Sequence, residues 1–204
     1  MKLKIILLFG CLGLLTILLK AQEIAHVGCY SHSGSSNYYE ELCLNENGEF
    51  VYQVNREFLK LQVEGNWQIR DGKLILDSRP QKDKIIVQEY KKRSNKKVVK
   101  VRSKENKLIN YTLCLIASEK DTLSYKNQWD KTIVYDDFVS FYLIDAKGLH
   151  SPTYNIIGLS SNYFEVFFET NRVFENEAWE ITFEGIIPKG LNCKPQMFVL
   201  KKTR

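Results

Sequence analysis

His26-Val-Gly-Cys29-Tyr-Ser-His32 sets two imidazoles and a thiol at three-residue steps, with Cys43 further along the chain. Imidazole and thiolate are zinc ligands. The intervening residues are strand-like, however, and residues three apart on a strand point to opposite faces. The three groups would converge only at a turn, and a disulfide at Cys29 would remove the thiol, so no metal site is expected. Ser31 to Ser36 (SHSGSS) surrounds His32 with hydroxyls. A Ser–His–acid arrangement is defined in space rather than in local sequence, and no Gly-x-Ser-x-Gly elbow occurs; the stretch reads as a hairpin loop. Glu40-Glu41 and Asp136-Asp137 are adjacent carboxylates. A working acid–base pair must face one site, whereas strand neighbours diverge. They are expected as surface charge, with calcium at Asp130, Asp136 and Asp137 as the alternative. Asn110-Tyr111-Thr112 is a glycosylation sequon. No residue is expected to be catalytic and no cofactor is implied.

Binding is the chemistry left. Trp67, in EGNWQIRDGKLILDS, either lines a ligand cavity or fills a core, and large aromatics usually do the latter. Trp67 and Tyr52 are the ligand candidates of the first half. Trp129, in the polar stretch KNQWDK, is the aromatic best placed to meet a partner. Residues 91–104 (KKRSNKKVVKVRSK) carry eight basic residues and no acid, the composition of an anionic-surface patch. Lys97-Val-Val-Lys-Val-Arg102 also alternates partly, as an edge strand with its charges in water would. Linker plus edge strand is the expectation, anionic glycan or lipid headgroup the alternative. No aromatic interleaves the run, and nucleic acid is not expected.

The elements that must position these residues begin after an export signal. MKLK is a positive start, and Ile5 to Leu19 is an apolar run of about fifteen residues, short of the roughly 20 that span a bilayer. Cleavage is expected after Ala21, so that 1–21 is a signal peptide. An uncleaved anchor is one alternative and lipidation at Cys11 another. The full chain carries 29 basic and 24 acidic residues, net +5. Loss of Lys2, Lys4 and Lys20, with no acid among 1–21, reduces that to +2, which points to no particular partner. Cys29, Cys43, Cys114 and Cys193 remain, an even number in an exported chain. Sequence proximity favours Cys29–Cys43 and Cys114–Cys193; for Cys114, inside YTLCLIA, a buried free thiol is the alternative.

Long helical periodicity is almost absent. Short runs rich in Val, Ile, Tyr, Phe and Trp recur between Gly, Asn, Asp and Ser. The first set is 26–31, 38–44, 49–55, 58–63, 65–70, 73–77 and 84–91, with hairpin turns at Asn47-Gly48 and Asp71-Gly72. The second is 97–103, 109–117, 122–126, 138–144, 153–158, 163–169, 178–184 and 196–202, the spacing of a sandwich or barrel. Both faces of 138–144 are apolar, suggesting cover on both sides. Residues 171–177 read as a helical turn or a loop. The chain is therefore expected to be all-β: an antiparallel meander or partial barrel at 22–92, then a β-sandwich at 93–204.

Residues 28–78 resemble a lipocalin-like domain of small exported bacterial proteins. The residues that carry this are Gly28-Cys29-Tyr30, Leu42 to Tyr52 (LCLNENGEFVY), Gly65-Asn66-Trp67-Gln68-Ile69 and Leu74-Ile75-Leu76. The resemblance implies an antiparallel barrel or half-barrel, whose larger relatives hold apolar ligands. The Gly-x-Trp pair normally opens such a domain; here Gly65-x-Trp67 comes late and Gly28-x-Tyr30 stands first. More faintly, Val98 to Val101, Leu108 to Leu113, Asp121 to Leu123 and Phe141 to Ile144 resemble a transthyretin-like or carboxypeptidase-regulatory-like sandwich, which implies a structural or adhesive module. The reading is a non-catalytic exported binding or structural module of a cell envelope, contacting an envelope protein or glycan. A membrane is expected only through an uncleaved signal segment. A carrier of a small apolar ligand and a hydrolase are the alternatives.

Overall fold

The computed structural model describes residues 25–34, 37–57, 59–79, 83–118 and 121–203. The expected signal peptide, 1–21, lies outside them. Among the described residues no helix is long and apolar enough to cross a membrane; the chain is all-β.

Among the described residues sixteen strands follow one another: β1 Gly28–Ser33, β2 Tyr39–Leu44, β3 Glu49–Arg56, β4 Leu59–Arg70, β5 Lys73–Ser78, β6 Ile85–Tyr90, β7 Lys97–Ser103, β8 Asn110–Ser118, β9 Asp121–Trp129, β10 Lys131–Val134, β11 Ser140–Asp145, β12 Tyr154–Asn155, β13 Tyr163–Phe168, β14 Glu177–Thr182, β15 Gly185–Ile187 and β16 Lys201–Lys202. The two stretches read as 58–63 and 65–70 run on as the single strand β4. The turns are those the dipeptides specify. Asn45 and Gly48 close the β2–β3 hairpin with Gly48 at φ 79°, and Asp71 and Gly72 both take positive φ between β4 and β5. Residues 171–176 form no helix.

The first unit is one eight-stranded antiparallel sheet in the order β15-β14-β5-β4-β3-β2-β1-β16. Its two ends meet: Ile186 and Leu200 exchange backbone hydrogen bonds of 3.0 and 2.8 Å, so the sheet is nearly closed. Alternate residues enter its interior: Leu42 and Leu44 from β2, Phe50 and Tyr52 from β3, Trp67 from β4, Leu74 and Leu76 from β5, and Trp179 from β14. Gly65 on β4 is required by close approach. A Cβ there would lie 1.9 Å from the Asp77 carbonyl oxygen and 2.8 Å from the Phe50 ring. This explains the small residue two positions before Trp67.

The second unit is a sandwich of two four-stranded sheets, β10-β7-β13-β6 and β12-β11-β8-β9. Val99, Val101, Phe164, Val166 and Phe168 from one sheet meet Tyr111, Leu113, Leu115, Phe141 and Leu143 from the other in a common core. Two expectations are corrected here. Strand β7, expected at a sheet edge, lies between β10 and β13. Its charges instead meet acids: Lys97 with Asp137 at 2.8 Å, Lys100 with Glu165 at 3.1 Å and Arg102 with Asp130 at 2.7 Å. Strand β11 is buried throughout on the face of Phe141 and Leu143, whereas on the other face Ser140 is buried and Tyr142 and Ile144 are only half-buried, so the cover there is partial.

The division between units also differs from a single cut after residue 92. Among the described residues, those up to Pro80 form the first unit with those of Asn176–Pro188 and Pro195–Arg204; those of Gln81–Glu175 and Lys189–Lys194 form the second. Strand β6, placed by sequence in the first domain, pairs with β13, whereas β14, β15 and β16 complete the first sheet. The cause is pairing: β1 and β5 each need a neighbour, and the strands that supply it lie about a hundred or more residues away in sequence.

Candidate functional site

Inside the first sheet the described side chains fill space. Trp67 is buried, and its indole Nε1 donates to the Asn45 carbonyl at 3.1 Å, fastening β4 to the β2–β3 turn. Tyr52 is buried with its ring edge-on to Trp179, centroids 5.3 Å apart. Its hydroxyl donates to Glu40 Oε1 at 2.8 Å. Glu40 points inward and Glu41 outward, as neighbours on a strand must. Tyr38 gives Glu40 a second phenolic hydrogen bond. Burial pushes the Tyr38 phenol above its ordinary range, the hydrogen bond and charge of Glu40 push it further, and Arg56 opposes them. A carboxylate inside the sheet is thus held by two phenols, a satisfied buried polar group. Trp179 Nε1 donates in turn to Glu177 at 3.0 Å.

Above this buried end the hairpin tips open into a cleft of about 500 Å³, lined by Asn37, Tyr38, Tyr39, Asn55, Arg56 and Lys60 among others. A second hollow of about 330 Å³ continues from it along the outer face. Register explains the lining. Tyr39 lies opposite Asn55 and Asn55 opposite Lys60; one pleat further on, Glu41 lies opposite Gln53 and Gln53 opposite Gln62. The outward positions of β2, β3 and β4 therefore form two transverse rows of phenol, amide and charge. Tyr39 donates to Glu41 across one pleat at 2.9 Å. Neither Trp67 nor Tyr52 lines either hollow; both serve the core. Trp129 belongs to the second unit, at the end of β9, and is more than half exposed. The three ligand candidates from sequence do not form one site.

The remaining chemical candidates are dispersed. Cys29 and Cys43 lie opposite each other on β1 and β2 and form a disulfide. Glu41 comes near both sulfurs, but sulfurs bonded to each other are not thiolate ligands. The expected Cys114–Cys193 bridge is corrected: both are free. Cys114 is buried on β8 with its sulfur 3.6 Å from Ser124 Oγ, and Cys193 sits in a turn at positive φ with its sulfur 3.9 Å from an Arg172 nitrogen. His32 stacks on Phe198 and His150 on Tyr142. Asp130, Asp136 and Asp137 face separate partners, Arg102, Tyr125 and Lys97.

Sequence reading missed Glu89. Its two carboxylate oxygens accept from Tyr154 OH at 2.9 Å, Ile157 N–H at 2.8 Å and Gly158 N–H at 2.9 Å. Burial pushes Glu89 up, but the hydrogen bonds from Ile157, Ser161, Gly158 and Tyr154 outweigh it and hold the carboxyl below its ordinary range. Burial and the facing carboxylate push the Tyr154 phenol up to about 12. An isolated Glu in a strand carries no local signal of such a role.

Fold and side chains together define an all-β protein with a nearly closed eight-stranded antiparallel sheet, compatible with a lipocalin-like fold, and a sandwich. The chain matches no protein-family model, no curated protein and no solved structure at a significant level.

Proposed function

We propose that the chain is a non-catalytic, exported binding module of a cell envelope, built on a lipocalin-like domain that binds at its rim and outer face. The ligand class that fits is an anionic glycan. One observation carries this reading: Tyr39, Asn55 and Lys60 stand in register on the outer face and lead into the cleft beside Arg56. A phenol ring offers a stacking face, the amides offer donors and acceptors in pairs, and the two cations, which outnumber Glu57 as the one acid among the described residues lining the cleft, suit a carboxylate or sulfate. The Cys29–Cys43 disulfide suits an oxidising compartment, where such bonds persist. The interior positions of Trp67 and Trp179 favour rim binding over an enclosed apolar cargo.

The test is calorimetric titration of the chain with oligogalacturonate and, separately, with a neutral maltooligosaccharide. Binding of the acidic oligomer is expected, weakened by about tenfold, or about 1.4 kcal/mol, in Arg56→Ala and again in Lys60→Ala. Equal affinity for the two sugars, or variants that bind like the parent, would overturn the reading.

A further inference from the structure

Two exposed features of the second unit adjoin each other. Ile157 and Leu159 have relative exposures of 82% and 109%, the latter as open as an extended peptide. The loop bearing them is tethered. Glu89 holds the Ile157 and Gly158 amides, Ser161 N–H returns to the Gly158 carbonyl at 3.2 Å, and Ile156 N–H bonds Val139 O at 3.0 Å. Val139 is itself 60% exposed. A tethered loop that shows its aliphatic side chains to solvent is not explained by the core, which ends at Tyr154 and Ile156.

Lys91, Lys92, Arg93 and Lys96 follow β6, starting two residues after Glu89, and all are exposed. Among the described residues none of them forms an ion pair, whereas Lys97, Lys100, Arg102 and Lys104 all do. Asn162 binds the basic segment to the apolar loop. Its Oδ1 accepts from Lys92 N–H at 2.7 Å, and its Nδ2 donates to the carbonyls of Lys92, at 3.0 Å, and Ser94. Lys92 Nζ lies 3.0 Å from the centre of the Tyr163 ring. The carboxylates around this corner are engaged: Glu89 with the loop amides, Asp136 with Tyr125 and Asp137 with Lys97.

We propose that this corner docks on an anionic lipid surface, Ile157 and Leu159 entering the headgroup–acyl boundary while Lys91, Lys92, Arg93 and Lys96 meet lipid phosphates. Charge complementarity selects the occupant. A projecting aliphatic tip needs no shaped pocket in a fluid bilayer, and a cluster of cations that meet no acid among the described residues is the composition that adds electrostatic attraction to apolar insertion. This docking is independent of the glycan reading, because no residue of the first unit takes part.

Hydrogen exchange of the full chain tests it, with mixed phosphatidylglycerol–phosphatidylcholine vesicles against phosphatidylcholine alone. The readout is local, so attachment through the apolar stretch 5–19 does not mimic it. Exchange at 159–160 and 91–96 is expected to slow several-fold on the mixed vesicles only, and to recover as salt is raised. The double variant Ile157→Ser, Leu159→Ser and the triple variant Lys91→Glu, Lys92→Glu, Arg93→Glu should each lose the slowing. Both change exposed side chains, and unaltered exchange in the two cores verifies their folding. Unchanged exchange on the mixed vesicles, or slowing that persists in both variants, overturns the proposal.

Discussion

Glu89 shows how much one carboxylate can hold. Replacing it with Ala removes the acceptor for two backbone amides and the Tyr154 phenol at once. Leaving such groups unmatched costs about 1–3 kcal/mol. Glu89→Ala is therefore expected to speed exchange at Ile157 and Gly158 and to lower the Tyr154 pKa from about 12 towards the ordinary phenol value, though burial keeps it above that value. Nuclear magnetic resonance of the tyrosine ring reads the second change. The pH dependence follows the sign of the shift. Because the Glu89 carboxyl is held below its ordinary range, its contribution is complete above the unfolded value of about 4.3 and is lost as pH falls through the folded one. Exchange of the two amides, corrected for intrinsic rate, should rise on acidification in the parent and stay flat in Glu89→Ala. A parent profile as flat as the variant's would show that the carboxylate does not tether the loop.

Among the elements, the strands and tight turns were largely legible because their signals are local. Asn47-Gly48 and Asp71-Gly72 fix hairpins by backbone sterics, and alternation marks β2, β3 and β7 wherever one face is buried. Short β10 and β15 escaped, since three or four residues give no period to read. The outer rows of phenol and amide escaped too, since Tyr39, Asn55 and Lys60 become neighbours only once register is known. The spacing of Gly65 to Trp67 is visible in sequence, but its reason is the close approach of Asp77 on β5 and Phe50 on β3. Gly65→Ala is expected to force β4 away from Asp77 and Phe50 and to cost about 2–3 kcal/mol, measured by denaturant unfolding. An unshifted midpoint would mean that the strands part easily there. The Cys29–Cys43 bridge pairs adjacent strands with a sequence separation of 14. Replacing both cysteines by Ala should cost about 3 kcal/mol in the chain-entropy account. Replacing Cys114 or Cys193 should leave the redox dependence of unfolding unchanged, because neither is bridged.

At the scale of the molecule, the plan follows from where strand edges find partners. A β5 edge without β14, and a β1 edge without β16, would present unpaired amides and carbonyls, a template for aggregation. Sequence order suggested two consecutive domains, because local patterns rank neighbours by proximity in the chain. The closing strands come only after Gln81–Glu175, the main body of the second unit, and nothing in KLILD announces that EAWEIT will lie beside it. Trp179 raises the stakes: it arrives with β14, is fully buried, and meets Tyr52 edge-on. A fragment of residues 22–92 therefore lacks three strands of its sheet and one of its largest core side chains. It is expected to unfold without a cooperative transition and to aggregate. Residues 83–175 retain both sheets of the sandwich and should keep slow exchange at Val99, Leu113 and Val166. Cooperative unfolding of the 22–92 fragment, measured by circular dichroism, would show that the first five strands suffice and that the returning segment only decorates the sheet.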